Sequence, residues 1–529
     1  AILYASLIGG TVVTGLVQGF AVVSRMLGAS SRIHDTILGR VLRAPKAWFD
    51  VTPQGLVLAI FSKDQDTLDD LLPATLIALL KCIIIVSTAL TLGIVAVPAV
   101  LVLLPVVYFL FRRLTTFYQR TASQLKRLDK ATTGPVISRF AETFAGLASV
   151  RALRLQVPLG KQLLQQLSDN NTAHFLWTAS GRWLAVRLDW VATSIVVAVG
   201  CGVVCFHLVG IVTPSLAGLA LVYILQITSL FQWGFRTYAE LQNHFVSVER
   251  ALAYTKIPQE AAAVLPTDSD LVAAHWPQHG AVHFHSVCMR YRPELPLVLR
   301  NLAVRFEPGL KSALVGRTGA GKSSITAALF RLVELDSGSI EIDGVDTSHI
   351  GLRQLRRSMV IIQQEALLFS GTIRSNLDPL EQTSDERLRV ALEKVDFARL
   401  VGGSLDLHTA VSDAGVNLSA GTRQLLMLAR AMLSDARILV MDEATANCDM
   451  ETDATMQRAV RAHFNGSTII TVAHRLDTII DYDRIFVMDA GAVIESGSPA
   501  GLLEKEGSRF GKLCAEAGID RQHTSRGVI

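Results

Sequence analysis

Three long stretches of apolar residues constrain this chain more than any other feature. Residues 1–24 carry no Asp, Glu, Lys or Arg, residues 74–111 carry only Lys81, and residues 190–231 carry none. A helix that crosses the hydrocarbon core of a bilayer needs about 20 apolar residues. The stretches are therefore long enough for one, two and two membrane spans, with breaks near residues 93–98 and 207–214.

Other interpretations of these stretches are weaker. Residues 1–24 lack the basic start and the cleavage signal of a secretory signal peptide. A buried helix of a water-soluble protein could explain any single stretch, but it is an improbable explanation of five spans together. Charged residues make up 18% of the chain, whereas a soluble domain usually has about 25%. The net charge of +4 gives no electrostatic reason to expect a polyanion. We therefore expect a lipid bilayer around the spans and no nucleic-acid partner.

The segments between the spans predict the orientation. Residues 25–72 and 112–180 are long and rich in Arg and Lys, whereas the breaks are short and contain neither. Because basic segments stay in the cytosol, the long segments are expected inside and the breaks outside. Five crossings that end inside begin outside, so at least one further upstream span is expected. Each long segment predicts a pair of helices, with elbows at residues 44–55 and 146–151.

The composition changes after Pro258. A polar, Ala-rich linker at residues 259–275 precedes short alternating strands and helices, which predict an α/β domain. The expected organisation is a partial transmembrane domain at residues 1–258, a linker at 259–275 and a nucleotide-binding domain at 276–520. The six cysteines are scattered without a CxxC pair, which favours reduced structural thiols over disulfides or a metal site.

The strongest local motif predicts a phosphate-binding loop. Gly316-Arg-Thr-Gly-Ala-Gly-Lys-Ser323 fits the pattern GxxxxGK[ST], with a strand end before it and a helix start after it. Glycines let backbone N–H groups surround phosphate oxygens, and the helix N-terminus favours negative charge. Lys322 would reach the β- and γ-phosphates and Ser323 would bind Mg²⁺. The predicted nucleotide contacts here are Gly316, Arg317, Thr318, Gly319, Ala320, Gly321, Lys322, Ser323 and Ser324.

A pair of carboxylates follows a second apolar strand. Ile438-Leu-Val-Met441 ends in Asp442 and Glu443. Asp442 would help to hold Mg²⁺, and Glu443 would polarise the attacking water. Two acids after an apolar run are common, but with a phosphate-binding loop they predict an ATPase that uses ATP and Mg²⁺.

Further residues carry a resemblance to a family. Leu418-Ser-Ala-Gly-Thr422, followed by Arg423-Gln-Leu-Leu-Met-Leu-Ala-Arg430, resembles the LSGGQ signature of ATP-binding-cassette (ABC) proteins. Segments along the whole chain resemble the second half of subfamily C, the multidrug-resistance-associated proteins: Ser31-Arg-Ile-His-Asp35, Phe61-Ser-Lys-Asp-Gln-Asp66, Ser247-Val-Glu-Arg250 and Phe369-Ser-Gly-Thr-Ile-Arg-Ser-Asn-Leu-Asp-Pro379. The resemblance implies an α-helical transmembrane bundle of the ABC exporter type, followed by an α/β P-loop NTPase domain. That half has six spans in the family, in agreement with the missing upstream span.

The resemblance also implies roles for single residues. Tyr291 corresponds to the aromatic that stacks on adenine, and Gln364 to the Q-loop glutamine that senses Mg²⁺ and meets the membrane helices. His474 corresponds to the switch histidine at the γ-phosphate, which would act in catalysis with Glu443. Asp449 belongs to a segment that resembles the D-loop.

The signature departs from the family pattern. Ala420 replaces the first glycine, Thr422 replaces glutamine, and Gln363 stands where proline commonly precedes the Q-loop glutamine. In the family each signature serves the P-loop of an opposing domain, so these changes concern the partner's site. The segment expected to act there is Leu418, Ser419, Ala420, Gly421 and Thr422. The expected partner is an opposing nucleotide-binding and membrane domain, from the same full-length chain, a second copy or a separate chain.

A substrate path is predicted near the cytosolic end of the last span. Trp233 and Arg236 are three residues apart and share a helix face, and the family's matching Trp and Arg contact substrates. Together with Arg182 and Arg187 they suit an amphipathic organic anion. Anchoring in the headgroup region is the alternative, since Trp and Arg both favour it.

The function predicted is ATP-driven export of amphipathic organic anions or xenobiotics by half of an ABC transporter. Three alternatives remain open at this point: an ATP-gated channel or regulatory subunit, a soluble cassette ATPase, and an inactive truncated half.

Overall fold

The computed structural model describes residues 2–98, 100–209, 213–401, 406–434, 436–444, 448–473 and 475–517. The chain divides into two compact units. The first comprises the described residues of Ala1–Gly39 and Gly55–Lys256, and the second comprises those of Arg40–Gln54 and Ile257–Ile529. All six cysteines are free thiols, as the sequence predicts.

The first half of the chain is mainly helical in its described part, and no strand lies among its described residues. Two π-helical turns, Ile60–Asp64 and Thr67–Leu71, join the third helix to the fourth. The helices are α1 (Ile2–Leu42), α2 (Lys46–Phe49), α3 (Gln54–Ala59), α4 (Leu72–Ala96), α5 (Val100–Ala145), α6 (Leu147–Ala152), α7 (Gln156–Leu208) and α8 (Pro214–Tyr254).

The five predicted spans lie in five different long helices: α1, α4, α5, α7 and α8. Three stretches of the described residues are long and apolar enough to cross a membrane: Ile2–Leu42, Gln54–Ala96 and Gln156–Leu208. The apolar start of α8, Pro214–Gln226, is shorter within the residues that were searched. The predicted breaks coincide with the helix ends at Ala96 and Leu208, and the predicted elbows contain the short helices α2 and α6.

Small side chains let the membrane helices pack closely. Helix α5 packs along α7, and α4 and α7 both pack against α8. A Cβ atom on Gly202 would lie 2.5 Å from Val97 Cγ1, so only glycine permits this approach. The buried side chains between α4, α7 and α8 include Ala89, Ala192, Val199, Ala220 and Ile224.

Helix α1 instead exposes its apolar side chains. Leu3, Leu16 and Phe20 are each at least 70% exposed, although the sequence around them is uncharged. A surface of this kind is suited to lipid or to other membrane helices.

The second unit is an α/β domain with an antiparallel sheet and a mainly parallel sheet. Its strands are β1 (Val282–Met289), β2 (Leu299–Phe306), β3 (Lys311–Gly316), β4 (Ser337–Ile342), β5 (Val345–Asp346), β6 (Met359–Ile362), β7 (Gly371–Thr372), β8 (Ala410–Val411), β9 (Ile438–Asp442), β10 (Thr468–Val472), β11 (Arg484–Asp489) and β12 (Ala492–Gly497). Its further helices are α9 (Asp268–Ala273), α10 (Lys322–Leu329), α11 (Leu352–Arg357), α12 (Ile373–Leu377), α13 (Asp385–Lys394), α14 (Phe397–Val401), α15 (Ala420–Leu433), α16 (Met450–His463), α17 (Pro499–Glu504) and α18 (Arg509–Glu516).

The order of the strands positions the nucleotide motifs. The larger sheet runs β12-β11-β3-β10-β9-β6, and all its neighbours are parallel except β11 and β12. The smaller antiparallel sheet runs β2-β1-β4-β5. Because β3 and β9 flank β10 in parallel, Gly316 and Asp442 end their strands at the same edge of the sheet. Ligands of open α/β sheets bind beyond this carboxyl edge.

One segment groups differently from the predicted domains. Arg40–Gln54 was expected within the membrane domain at residues 1–258, but it belongs to the second unit. The Gln259 side-chain amide donates a 2.8 Å hydrogen bond to Arg40 O, and the Glu260 amide donates one of 2.8 Å to Arg43 O. These two hydrogen bonds tie the segment to Gln259 and Glu260, at the start of the predicted linker.

Candidate nucleotide and substrate sites

The phosphate-binding loop connects β3 to α10. Gly319 and Gly321 have φ angles of +84° and +95°, which are costly for residues with a Cβ atom. Gly321 is also the N-cap of α10, so the helix begins directly at Lys322. The outer side of the loop is exposed at Arg317, Thr318 and Gly319, whereas Ala320 is buried. The loop therefore opens toward solvent where a phosphate would enter.

Lys322 is the buried cation of the loop. Its side chain is 6% exposed, and Nζ donates a 2.6 Å hydrogen bond to Gly316 O. Burial lowers the pKa of Lys322, and the nearby carboxylates of Glu443 and Asp442 oppose that decrease. An incoming phosphate would offer stronger, charged acceptors than the loop carbonyl.

Ser323 and Asp442 meet across the carboxyl edge of the sheet. Ser323 Oγ donates a 3.2 Å hydrogen bond to Asp442 Oδ1. Two adjacent oxygen ligands of an octahedral Mg²⁺, at bond lengths of about 2.0–2.1 Å, lie about 3 Å apart. The two side chains therefore fit Mg²⁺ by chemistry and by spacing. The Gln364 side chain, predicted as a third ligand, is exposed and makes no hydrogen bond to a described residue.

Glu443 has an unusual backbone conformation. Its φ angle is +50°, and its amide donates a 3.2 Å hydrogen bond to Val472 O on the neighbouring strand. A positive φ at a residue with a side chain costs about 1–3 kcal/mol and is concentrated at functional sites. The chain therefore enters a left-handed turn immediately after Asp442, at the carboxyl edge of the sheet.

The signature segment caps and braces its own helix. Ser419 is the N-cap of α15, and its Oγ accepts from the Thr422 amide at 3.1 Å and lies 2.8 Å from the Thr422 hydroxyl. The hydroxyl at the position of the usual glutamine thus closes the capping turn. A Cβ on Gly421 would lie 2.8 Å from Thr452, so this glycine permits contact with α16. Ala420 is half-buried and Leu418 packs against the core.

Gln424, one turn into α15, was missed by sequence reasoning. Its side-chain amide donates to Gln364 O at 2.7 Å and to Gln363 O at 3.1 Å. These bonds join the Q-loop to the signature helix across 60 residues of sequence. No local pattern marks Gln424, because its role depends on a backbone segment far along the chain.

The remaining predicted nucleotide residues have different surroundings. Tyr291 packs against the core, and its hydroxyl lies 3.0 Å from Ser324 Oγ beside the loop. Asp449 is the N-cap of α16, and its carboxylate accepts from the Thr452 hydroxyl at 2.7 Å. This bond lowers the pKa of Asp449. His474 lies outside the described residues, and so do residues 446 and 447 of the predicted D-loop at 446–449.

The predicted substrate residues converge on one cavity of the first unit. Trp233, Arg236 and Arg182 line a cavity of about 510 Å³. Arg187 is not part of that lining; its guanidinium stacks on Trp183 at 4.1 Å. The Arg236 Nε lies 2.9 Å from Glu240 Oε1, so its charge is partly balanced.

Sequence reasoning missed several other residues that line this cavity. Lys126 stacks on Trp177, with Nζ 5.3 Å from the ring centroid, and donates a 2.9 Å hydrogen bond to Asn243. Tyr118 completes the aromatic lining. These residues lie on α5, α7 and α8, so only the packing of three helices brings them together.

Two comparisons identify the architecture. The family described as the ABC transporter transmembrane region matches residues 1–231, and the ABC transporter family matches residues 299–446. The chain belongs to the ABC transporter family. The predicted fold class is confirmed, and the chain is a multi-pass ABC membrane protein with a cytosolic ATP-binding domain.

The relatives that match this chain place it near subfamily C of the ABC proteins. The chain is 40% identical over 519 residues to ATP-binding cassette sub-family C member 2 of Rattus norvegicus. The aligned region covers 96% of this chain and 33% of that relative. It is 40% identical to the ABC-type transporter cicA of Emericella nidulans, over 98% of this chain and 38% of that one. It is 36% identical to the pleiotropic ABC efflux transporter of multiple drugs YBT1 of Candida glabrata, over 93% of this chain and 31% of that relative. The chain spans about a third of the length of the relatives it matches.

Changing Asp442 tests the assignment of Mg²⁺. Asp442→Asn keeps the size of the side chain but removes its charge. We therefore expect the factor by which Mg²⁺ increases ATP affinity to be about tenfold smaller in this variant than in the unchanged protein. The measurement is a titration with a fluorescent ATP analogue, with and without Mg²⁺. Asp270→Asn, at an exposed position in α9, is the matched control. An unchanged response to Mg²⁺ in Asp442→Asn would rule out this ligand.

Proposed function

We propose that this chain is half of an ATP-driven exporter of amphipathic organic anions or xenobiotics, and that it works with an opposing cassette and membrane domain. The observation that carries the proposal is the combination, in one chain, of the Lys322, Ser323 and Asp442 site with a cavity lined by Trp and Arg between membrane helices.

ATP binding would begin with a change of partner at Lys322. The ammonium leaves the Gly316 carbonyl and donates to the β- and γ-phosphates, while the amides at the start of α10 face the same oxygens. Tyr291, packed beside Ser324, is the proposed stacking partner of adenine. Bound Mg²⁺, held by Ser323 and Asp442, would neutralise phosphate charge.

Hydrolysis would depend on Glu443. Its carboxylate orients a water molecule in line with the bond to the γ-phosphate and accepts its proton. His474 is the proposed contact of the γ-phosphate. In this proposal Asp442 serves the metal, because Ser323 Oγ contacts its carboxylate, and Glu443 serves the water.

The opposing domain would complete the site. The resemblance implies that two such domains pair and that the signature of each cassette faces the P-loop of the other. The segment Leu418–Thr422 would therefore act on the partner's nucleotide. Its Ala420 and Thr422 are expected to weaken the partner's site and to leave the site around Lys322 intact.

The segment Arg40–Gln54, which overlaps the predicted elbow at residues 44–55, offers a route for movement. Glu260, whose amide bonds to Arg43 O, forms two 2.9 Å bonds with the Arg356 guanidinium. Arg356 in turn donates to Phe330 O at 3.2 Å and Arg331 O at 3.1 Å, directly after α10. Movement of the P-loop helix can therefore reach the elbow through one ion pair.

The cavity would bind the substrate. Trp233, Trp177 and Tyr118 offer stacking surfaces, while Arg182, Arg236 and Lys126 outnumber Glu240, the one carboxylate among the described lining residues. This surplus of positive charge suits an amphipathic anion. The cavity volume of about 510 Å³ is within the range of small-molecule sites.

Trp233→Ala tests the cavity in transport. ATP-dependent uptake of an anionic conjugate into inside-out vesicles should fall about tenfold, because the loss of stacking and cation–π contact costs about 1–2 kcal/mol. ATP binding should not change. Trp190→Ala is the matched control, since Trp190 is 74% exposed on α7 and lies outside the cavity lining. Equal uptake by both variants would contradict the site, and ATP-dependent current without uptake would indicate a channel.

A further inference from the structure

Strand β1 presents two histidines on one face of the antiparallel sheet. His283 and His285 are two residues apart, and the alternate residues Val282 and Phe284 are fully buried in the core. Both histidines are half-exposed. The pair therefore lies on the sheet surface away from the core, and it has no part in the nucleotide site described above.

The neighbouring strand adds a carboxylate to this face. Glu341 on β4 lies directly opposite His283 in the antiparallel register. Its neighbours Ile340 and Ile342 are buried, so the Glu341 side chain extends to the same face as the two imidazoles. One ligand atom from each of His283, His285 and Glu341 lies within 4.8 Å of the other two.

The contact between His285 and Glu341 has the spacing of two ligands on one ion. His285 Nε2 lies 3.2 Å from Glu341 Oε2. Zinc bonds of about 2.0–2.2 Å at a tetrahedral angle place an imidazole nitrogen and a carboxylate oxygen about 3.3–3.5 Å apart. Nε2 is shielded from solvent, yet it makes no hydrogen bond within the described part of the chain. A shielded lone pair beside a carboxylate leaves a place for a cation between them.

A cation on the other neighbouring strand is itself paired. Arg305, opposite His283 on β2, is paired with Glu307 at 3.1 Å, so its charge is partly compensated next to the three side chains.

We propose that His283, His285 and Glu341 bind a single Zn²⁺ ion, with water as the fourth ligand. Two imidazoles and one carboxylate favour a borderline-soft first-row ion over Mg²⁺, which prefers oxygen ligands. The ion would join β1 to β4 on the outer face of the antiparallel sheet. The occupied site would stabilise the nucleotide-binding domain against unfolding, because the ligands converge only in the folded chain.

The test is a Zn²⁺ titration of the full chain in detergent, against a chromogenic chelator. Any histidine tag is removed, and excess Mg²⁺ occupies oxygen sites such as Ser323 and Asp442. We expect one tight equivalent of Zn²⁺ and, with Co²⁺ in its place, the intense visible absorption of tetrahedral coordination. The double variant His283→Ala/His285→Ala should bind at least tenfold more weakly, since even the loss of an outer-shell contact typically costs about 10–100-fold in affinity.

Matched variants separate this site from the other histidines. The double variant His275→Ala/His279→Ala removes two exposed histidines of the same segment and should leave the titration unchanged. Glu341→Gln should weaken binding while it preserves the size of the side chain. ATP binding, measured in parallel, reports that each variant is folded. The proposal is overturned if the unchanged protein binds no tight equivalent, or if removing His283 and His285 has no effect.

Discussion

Replacement of Glu443 by Gln is expected to lower steady-state ATP hydrolysis by about 100-fold or more, within the range of general-base catalysis, in the transporter assembled with its partner domain. ATP binding should persist, because Lys322 contacts the phosphates and Ser323 binds Mg²⁺, whereas Glu443 acts only on the water. The amide keeps the size of the side chain but cannot accept a proton. The protein should therefore retain ATP, which is measured as nucleotide that remains bound after gel filtration.

The control for this change is Glu393→Gln. Glu393 is exposed on α13, so the same loss of one charge occurs in the same domain without a role at the nucleotide. Hydrolysis by this variant should match that of the unchanged protein. Undiminished hydrolysis by Glu443→Gln would show that another group positions the water.

Lys322→Met is expected to weaken ATP binding by about 10- to 100-fold. Hydrogen bonds from a charged donor contribute about 1.5–3 kcal/mol, and each 1.4 kcal/mol is a factor of ten. Methionine fills the space of the lysine stem, so the loop should keep its shape while losing the ammonium. Equilibrium binding of a fluorescent ATP analogue to the purified chain measures the effect.

Folding must be measured in parallel, because Lys322 is buried and its charge is already costly there. The loss of that charge should leave the Tm of the nucleotide-free protein unchanged or slightly higher. The increase in Tm that ATP causes should largely disappear. Lys505→Met, at an exposed position after α17, is the control. It should keep the Tm of the unchanged protein without nucleotide and the same increase in Tm with ATP. ATP affinity equal to that of the unchanged protein would exclude Lys322 from phosphate binding.

Local patterns predicted much of the architecture. The uncharged stretches, the breaks near Ala96 and Leu208, and the strand–loop–helix at Gly316–Ser323 each depend on residues close together in sequence. Hydrophobic length decides whether a helix can cross a membrane, and positive φ angles decide where glycine is needed. Such properties are set by the residues themselves, so they could be predicted without coordinates.

Contacts between distant residues could not be predicted in this way. The hydrogen bond between Ser323 and Asp442 joins residues 119 apart, and only the parallel order of β3, β10 and β9 brings them to one edge. Gln424 contacts the Q-loop carbonyls because α15 packs beside β6. Family resemblance supplied roles for Tyr291 and Gln364, but the hydroxyl contact of Tyr291 and the exposed side chain of Gln364 came from the structure alone.

The sequence by itself determined that this chain crosses a membrane repeatedly and carries a phosphate-binding loop, because apolar length and glycine spacing act locally. The tertiary structure decided that Arg40–Gln54 joins the nucleotide-binding unit, that Lys126 and Trp177 line one cavity with Trp233, and that Glu341 meets His283 and His285. The physical reason is the same in each case. Helix packing and strand register set which side chains share a surface, and both arise from the burial of many residues along the whole chain.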